Sequence, residues 1–202
     1  MQTLPDATPA AETVSSRLLA EALQNLGSSP APTVLDFGPG NADTLAHLGR
    51  YGGRIIFADL LDTVQGLASR AQTLVELPRD ARATWLRQAL HVPLDRQIDV
   101  CLFWDVLHCL PLPLLQGIGD ALHPYLAPGC RAYAFGALHN DGDWQHNTYG
   151  IIDHEHLRLT PQAPLPSYHV HSQQSLTEHL PGFQIARGTL LLTGRLELLL
   201  TT

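Results

Sequence analysis

Lysine is absent from this chain: all twelve basic residues are arginine, set against nineteen carboxylates and a formal net charge of −7 at pH 7. That absence excludes a lysine Schiff base and the lysine of a phosphate-binding P-loop. It also leaves no polybasic run for an anionic membrane surface, and no concentrated basic stripe of the kind nucleic acid requires. Cysteine is scarce. Cys101, Cys109 and Cys130 form no CxxC pair and leave one over, a usage that fits a reducing, cytoplasmic setting. No stretch approaches the roughly 20 apolar residues of a membrane span. The opening residues MQTLPDATPAAE are acidic, where a secretory leader is basic and then apolar.

What is present is a chain of 202 residues, 45% hydrophobic and 15% charged. A chain near this size buries about 70% of its unfolded surface around one core without staples. Val14, Leu18, Leu19, Leu23 and Leu26 recur at helical spacing and predict a helix from Glu12 to about Leu26, stopped by Gly27 and Pro30. Short apolar runs at 33–37, 54–58, 98–104 and 130–135 read as strands buried on both faces of a parallel sheet. Residues 83–87 read as a further strand, with a helix as the rival reading. Helical patterns lie between these runs, at 41–48, 60–77 and 112–126, and a last one at 173–180 is capped by Ser172. Two final apolar runs, 183–192 and 195–200, flank Thr193-Gly194 and predict a β-hairpin. The alternation implies an α/β fold: a doubly wound, mostly parallel sheet closed by a C-terminal antiparallel hairpin. Residues 1–30 are read as an N-terminal tail and helix and 31–202 as the folded domain. Residues 137–170 form a long insertion before the last helix.

A strand, the turn Gly38-Pro39-Gly40 and a helix start make a site for a nucleotide-like ligand. The glycines let ligand atoms approach the main chain, and the helix start presents free N–H groups. Asp59, about twenty residues further on at the end of the second strand, is placed to accept both hydroxyls of a ribose. The pattern is not GxGxxG, because Asp43 stands three residues after Gly40 and would repel a pyrophosphate. That disfavours NAD and FAD, and favours a nucleoside ligand without phosphates.

In these features the chain resembles the class I S-adenosylmethionine-dependent methyltransferases, a Rossmann-like family. Val34-Leu35-Asp36-Phe37-Gly38-Pro39-Gly40 resembles the family's first motif, and Asp59 its acidic residue closing the second strand. Residues 87–94 resemble the segment after strand three, 98–111 strand four with its following loop, and 126–131 the turn into strand five. The ending, 175–183, resembles the last helix and the start of the final hairpin. The resemblance implies that the Gly38 and Gly40 backbone lies against the methionine portion of S-adenosylmethionine, with Asp36 orienting the turn. Asp59 then holds the ribose hydroxyls, Gln88 and Ala89 flank the adenine, and Trp104 with Asp105 approaches the amino-acid end. The chain departs from the family at Ala42, where a third glycine is common, and at Gln88, where aspartate is usual. A glutamine carbonyl accepts the same adenine bond without charge assistance, a loss of about 1 kcal/mol.

Eleven histidines raise the question of metal. His154-Glu155-His156 and His169-Val170-His171 each place two imidazoles on one face of a strand, but no third ligand stands at a recognisable interval, so no metal is expected. His108 and His139, just after the fourth and fifth strands, are the candidates for a general base. The insertion carries Trp144, Tyr149 and Tyr168 and is read as the acceptor's wall, with a homodimer contact as the alternative. The expected activity is methyl transfer from S-adenosylmethionine to a small-molecule acceptor, without nucleic acid or membrane as partner. The rival is a catalytically silent domain of the same fold acting as a binding or assembly module.

Overall fold

The structure, a computed structural model, describes residues 11–58, 71–93, 95–137, 146–162, 169–191 and 194–202. Its strands are β1 (Glu12–Ser15), β2 (Thr33–Asp36), β3 (Arg54–Phe57), β4 (Ile98–Trp104), β5 (Leu126–Ala137), β6 (Asn147–Ile151), β7 (His156–Pro161), β8 (Gln184–Leu190) and β9 (Arg195–Thr201). The helices are α1 (Leu18–Leu23), α2 (Ala42–Leu48), α3 (Ala71–Glu76), α4 (Arg79–Ala89), α5 (Leu112–Leu122) and α6 (Gln173–His179). The main sheet has six strands in the order β3-β2-β4-β5-β9-β8. β2, β3, β4 and β5 run parallel, and β9 lies antiparallel between β5 and β8. This is the fold class that the sequence implied.

Alternation along the strands sorts side chains into two cores. Leu35, Phe37, Cys101, Phe103, Ala132 and Leu198 face α4, α5 and α6, whose Leu86, Ile118 and Leu176 meet them. Their neighbours Val34, Val100, Leu102, Trp104, Tyr133 and Phe135 face the other way, onto Leu18, Leu19 and Leu23 of α1. A period of two on a sheet with both faces covered is what makes these strands nearly continuous apolar runs.

A second, three-stranded antiparallel sheet joins the α1 side in the order β1-β7-β6. It is built from the N-terminal segment and from the long insertion, and it buries Tyr149, Ile151, Leu157 and Leu159. Here the predicted helix from Glu12 is corrected: residues 12–15 are a strand, and α1 begins only at Leu18. Val14 pairs with Leu157 on the edge of β7, and Ser16 Oγ accepts the Leu19 N–H at 3.1 Å, so the chain turns from strand into helix at Ser16.

The expected strand at 83–87 is also corrected, to the middle of α4. Ala83, Leu86 and Leu90 are buried at helical spacing, with Asp80 in the first turn and Arg87 in the last to complement the helix dipole. A Cβ at Gly117 of α5 would stand 2.6 Å from Leu86 Cδ1, so that glycine admits α4 to close contact. Of the helix expected over 60–77, α3 is the part that falls among the described residues. Among the described residues, no helix is long and apolar enough to cross a membrane.

Candidate functional site

The chain leaves β2 for β3 on one side, while β4 lies on the other side of β2. Strand order therefore reverses between β2 and β4, and in open parallel sheets the crevice beyond the carboxyl ends at such a point is where ligands sit. The glycine turn follows β2, and Trp104-Asp105 ends β4. Asp36, Gly38, Gly40, Trp104 and Asp105, singled out from sequence, thus meet at one place.

Asp36 holds the turn. Its buried Oδ1 accepts the Gly38 N–H at 2.8 Å and the Trp104 indole N–H at 2.6 Å. A Cβ on Gly38 would stand 3.0 Å from the indole, so this glycine gives room to a protein side chain. A Cβ on Gly40 would stand 3.3 Å from the Phe57 ring, while the Gly40 residue itself is exposed. Trp104 sits at φ 52°, in the left-handed region that costs a bulky residue about 1–2 kcal/mol. The kink ends β4 and sends the chain into the tight turn Val106–His108.

The small sheet is laced to the start of α2. Asn41 caps α2 by accepting the Thr44 N–H at 2.9 Å, and its amide donates to the Tyr149 carbonyl. Thr44 Oγ1 accepts the Ile151 N–H at 3.1 Å, and Arg158 pairs with Asp43 at 2.7 Å. Tyr149 stacks flat on Trp104, with ring centroids 5.0 Å apart, and also packs against Phe135 at 5.1 Å.

Behind this stack lies a polar chain. Asp105 is fully buried, and its Oδ2 stands 3.1 Å from His146 Nδ1 and accepts the Tyr149 hydroxyl at 3.2 Å. The Tyr149 oxygen in turn accepts from Arg195 Nη1 at 3.1 Å. Burial, and then the Asp105 charge, hold the Tyr149 phenol well above its ordinary range. Asp105 Oδ1 has no hydrogen-bond partner among the described residues.

The other sequence candidates fall elsewhere. Gln88 and Ala89 lie in the last turn of α4, Gln88 exposed and Ala89 half-buried. Asp59 and His139, with Trp144 and Tyr168, lie outside the described residues. His108 is buried, and its Nδ1 accepts the His171 N–H at 3.2 Å. Burial pushes its pKa down to about 4, so at neutral pH it is an uncharged tie between β4's following turn and residues 169–171. Among the described residues, no group of three or more His, Cys, Asp or Glu is placed to hold a metal ion. His146 and Arg195 were not legible from sequence as site residues. One is a histidine among many in an irregular stretch, and the other begins a hairpin strand.

The sheet order and the glycine turn at its reversal point define a Rossmann-like domain. No family model matches the chain, and no curated protein matches it in sequence. Among solved structures, the glycopeptide N-methyltransferase MtfA is 13% identical over 91% of this chain and 94% of its own, with a TM-score of 0.48. CalS10, an amino pentose methyltransferase from Micromonospora echinaspora solved with S-adenosylmethionine bound, is 13% identical over 91% of this chain and 88% of its own, TM-score 0.47. The pyocyanin biosynthetic protein PhzM is 10% identical, and the chain spans 54% of it, TM-score 0.42.

Proposed function

We propose that this chain binds S-adenosylmethionine and transfers its methyl group to a small-molecule acceptor. The observation that carries the reading is the pairing, at the sheet's reversal point, of the Gly38–Gly40 turn with a buried carboxylate oxygen of Asp105 that has no donor among the described residues. An unmatched buried acceptor costs about 1–3 kcal/mol, and a cationic ligand end would relieve it. The fit to a sulfonium bearing an amino-acid ammonium is therefore chemical as well as positional. On this reading the Gly38 and Gly40 backbone and Asp36 form the turn beneath the ligand, Asp59 takes the ribose, Gln88 and Ala89 flank the adenine, and Trp104 and Asp105 adjoin the amino-acid end. When bound, the cofactor supplies a methyl carbon open to in-line displacement. The chain's own contribution is alignment and exclusion of water, for which the insertion at 137–170 would serve as the acceptor's wall. A cytoplasmic setting rests on cysteine usage alone.

Titration calorimetry tests the reading. Micromolar binding of S-adenosylmethionine and S-adenosylhomocysteine is expected, lost in Asp59→Ala and weakened in Asp105→Asn. Undetectable binding of both at millimolar concentration removes it. A second reading is favoured by the indole against Gly38 and the Phe57 ring against Gly40, a turn packed by its own side chains. In that case the domain is catalytically silent and serves in binding or assembly, and a folded chain that sediments as a homodimer without binding cofactor would support it.

A further inference from the structure

We infer that the first turn of α2 stands in for a neighbouring strand of β6, so that a cofactor seated on the glycine turn fixes the acceptor's wall through the positioning residues Asn41 and Thr44. The inference rests on the methyl-transfer reading, and the part of the wall it concerns is β6 with β7.

β6 is an outer strand of the small sheet. A strand in that place turns alternate main-chain N–H and C=O groups to its free edge, where no ladder takes them up. Tyr149 and Ile151 stand two residues apart and so present these groups to the same edge. The Tyr149 carbonyl accepts from the Asn41 amide, and the Ile151 N–H donates to Thr44 Oγ1 at 3.1 Å. A neighbouring strand would make such bonds; here two side chains of one helical turn make them. Gly150, between the two, lets β6 lie this close. A Cβ there would stand 3.1 Å from Asp43 Oδ2 and 3.2 Å from Asn41 Oδ1. Its φ is not positive, so the missing side chain serves the approach to α2 and not the strand's own conformation. Asp43 and Arg158 add an ion pair whose side chains are 39% and 47% exposed, and a pair so open to water contributes little. The two hydrogen bonds and the fit at Gly150 carry the joint.

Any helix could cover an open sheet edge. This one is set apart by where it begins, because Asn41 follows Gly40 directly. Its amide is divided between two tasks: Oδ1 caps α2 by accepting the Thr44 N–H at 2.9 Å, while Nδ2 holds β6. The glycine turn and the wall therefore share one side chain. A second route joins the same two places. Asp36 Oδ1 accepts both the Gly38 N–H and the Trp104 indole N–H, and Trp104 stacks on Tyr149 with centroids 5.0 Å apart. A ligand that stiffens the turn thus stiffens β6 and, through the ladder from Asn147 to Ile151, β7 as well. Such coupling is reciprocal: a wall held in place raises the turn's affinity for its ligand by the same factor.

Amide hydrogen exchange of the full chain, with and without saturating S-adenosylmethionine, tests this. In the wild type the cofactor should slow exchange about fivefold or more across β6 and β7 as well as at the glycine turn. Two variants cut the joint in different ways. Asn41→Asp keeps the helix cap, since aspartate caps as well as asparagine, but offers the Tyr149 carbonyl no donor. Gly150→Val suits a strand and adds no charge, but holds β6 away from α2. In both, slowing at the turn should persist while slowing at β6 and β7 is lost, and Gly150→Val should weaken cofactor binding by the factor of slowing lost. Slowing at the turn with none at β6 and β7 in the wild type overturns the inference without any variant having to fold. So does slowing at β6 and β7 that survives both substitutions, because the ligand then covers the wall directly. A wild type in which neither the turn nor the wall slows has bound no cofactor; that result removes the methyl-transfer reading itself, and this inference with it.

Discussion

Trp104 shows how one residue organises the site. Its left-handed backbone ends β4, its indole N–H satisfies Asp36, and its ring fills the space that Gly38 leaves open. Gly38→Ala should therefore cost about 1–3 kcal/mol in chemical denaturation, because the indole and the Asp36 carboxylate bound the new methyl group. Gly40→Ala, at an exposed position with a 3.3 Å approach to Phe57, should cost less. His108 makes a second residue-level prediction. Its folded pKa of about 4 lies below the ordinary 6.5, so the unfolded chain takes up the proton first. The contribution to stability is complete above pH 6.5 and is lost as pH falls from there towards 4. Over that window the wild type should lose about 3 kcal/mol more than His108→Gln, read as unfolding free energy at pH 7 and pH 4. Burial shifts His47 and His171 in the same direction.

Elements were legible where a pattern had one physical solution. β2, β3 and β4 are apolar runs too short for a helix and flanked by glycine or charge, and they appear where expected. The stretch 83–87 admitted two solutions, and burial of Ala83, Leu86 and Leu90 at helical spacing, with Leu86 against α5, selected the helix. Glu12–Ser15 has no local signal for a strand, since its partner Leu157 lies more than a hundred residues away. α2 ties main sheet to small sheet through one side chain, for Asn41 both caps the helix and holds the Tyr149 carbonyl. Asn41→Ala should cost about 0.5–2 kcal/mol. It should also raise amide hydrogen exchange across β6 more than across β4, since only the former loses an anchor.

At the scale of the molecule, a buried chain of three polar groups joins its ends. Ser16 Oγ meets the Tyr133 hydroxyl at 3.1 Å, and that hydroxyl donates to Glu197 at 2.7 Å, inside the core on the α1 side. Burial and the neighbouring Glu197 charge hold the Tyr133 phenol well above its ordinary range. Tyr133→Phe leaves the Glu197 carboxyl group without that donor and should destabilise by about 1–3 kcal/mol, a loss visible as a lower melting temperature in calorimetry. Glu197→Leu combined with it should recover part of the loss, because the carboxyl group left without that donor is then removed.

The sequence by itself determined the alternation of strands and helices, the glycine turn, and the meeting of Asp36, Gly38, Gly40, Trp104 and Asp105. The alternation and the turn follow from local period and turn chemistry, while the place of Asp36, Trp104 and Asp105 at the site was implied by the family resemblance. Only the tertiary structure decided that Trp104 and Phe57 pack on the two glycines, that β1 joins the insertion in a second sheet, and that His146 and Tyr149 meet on Asp105 while Arg195 reaches the Tyr149 hydroxyl. Those are contacts between segments tens to more than a hundred residues apart, and they depend on which faces are left over once each element has buried its own apolar side.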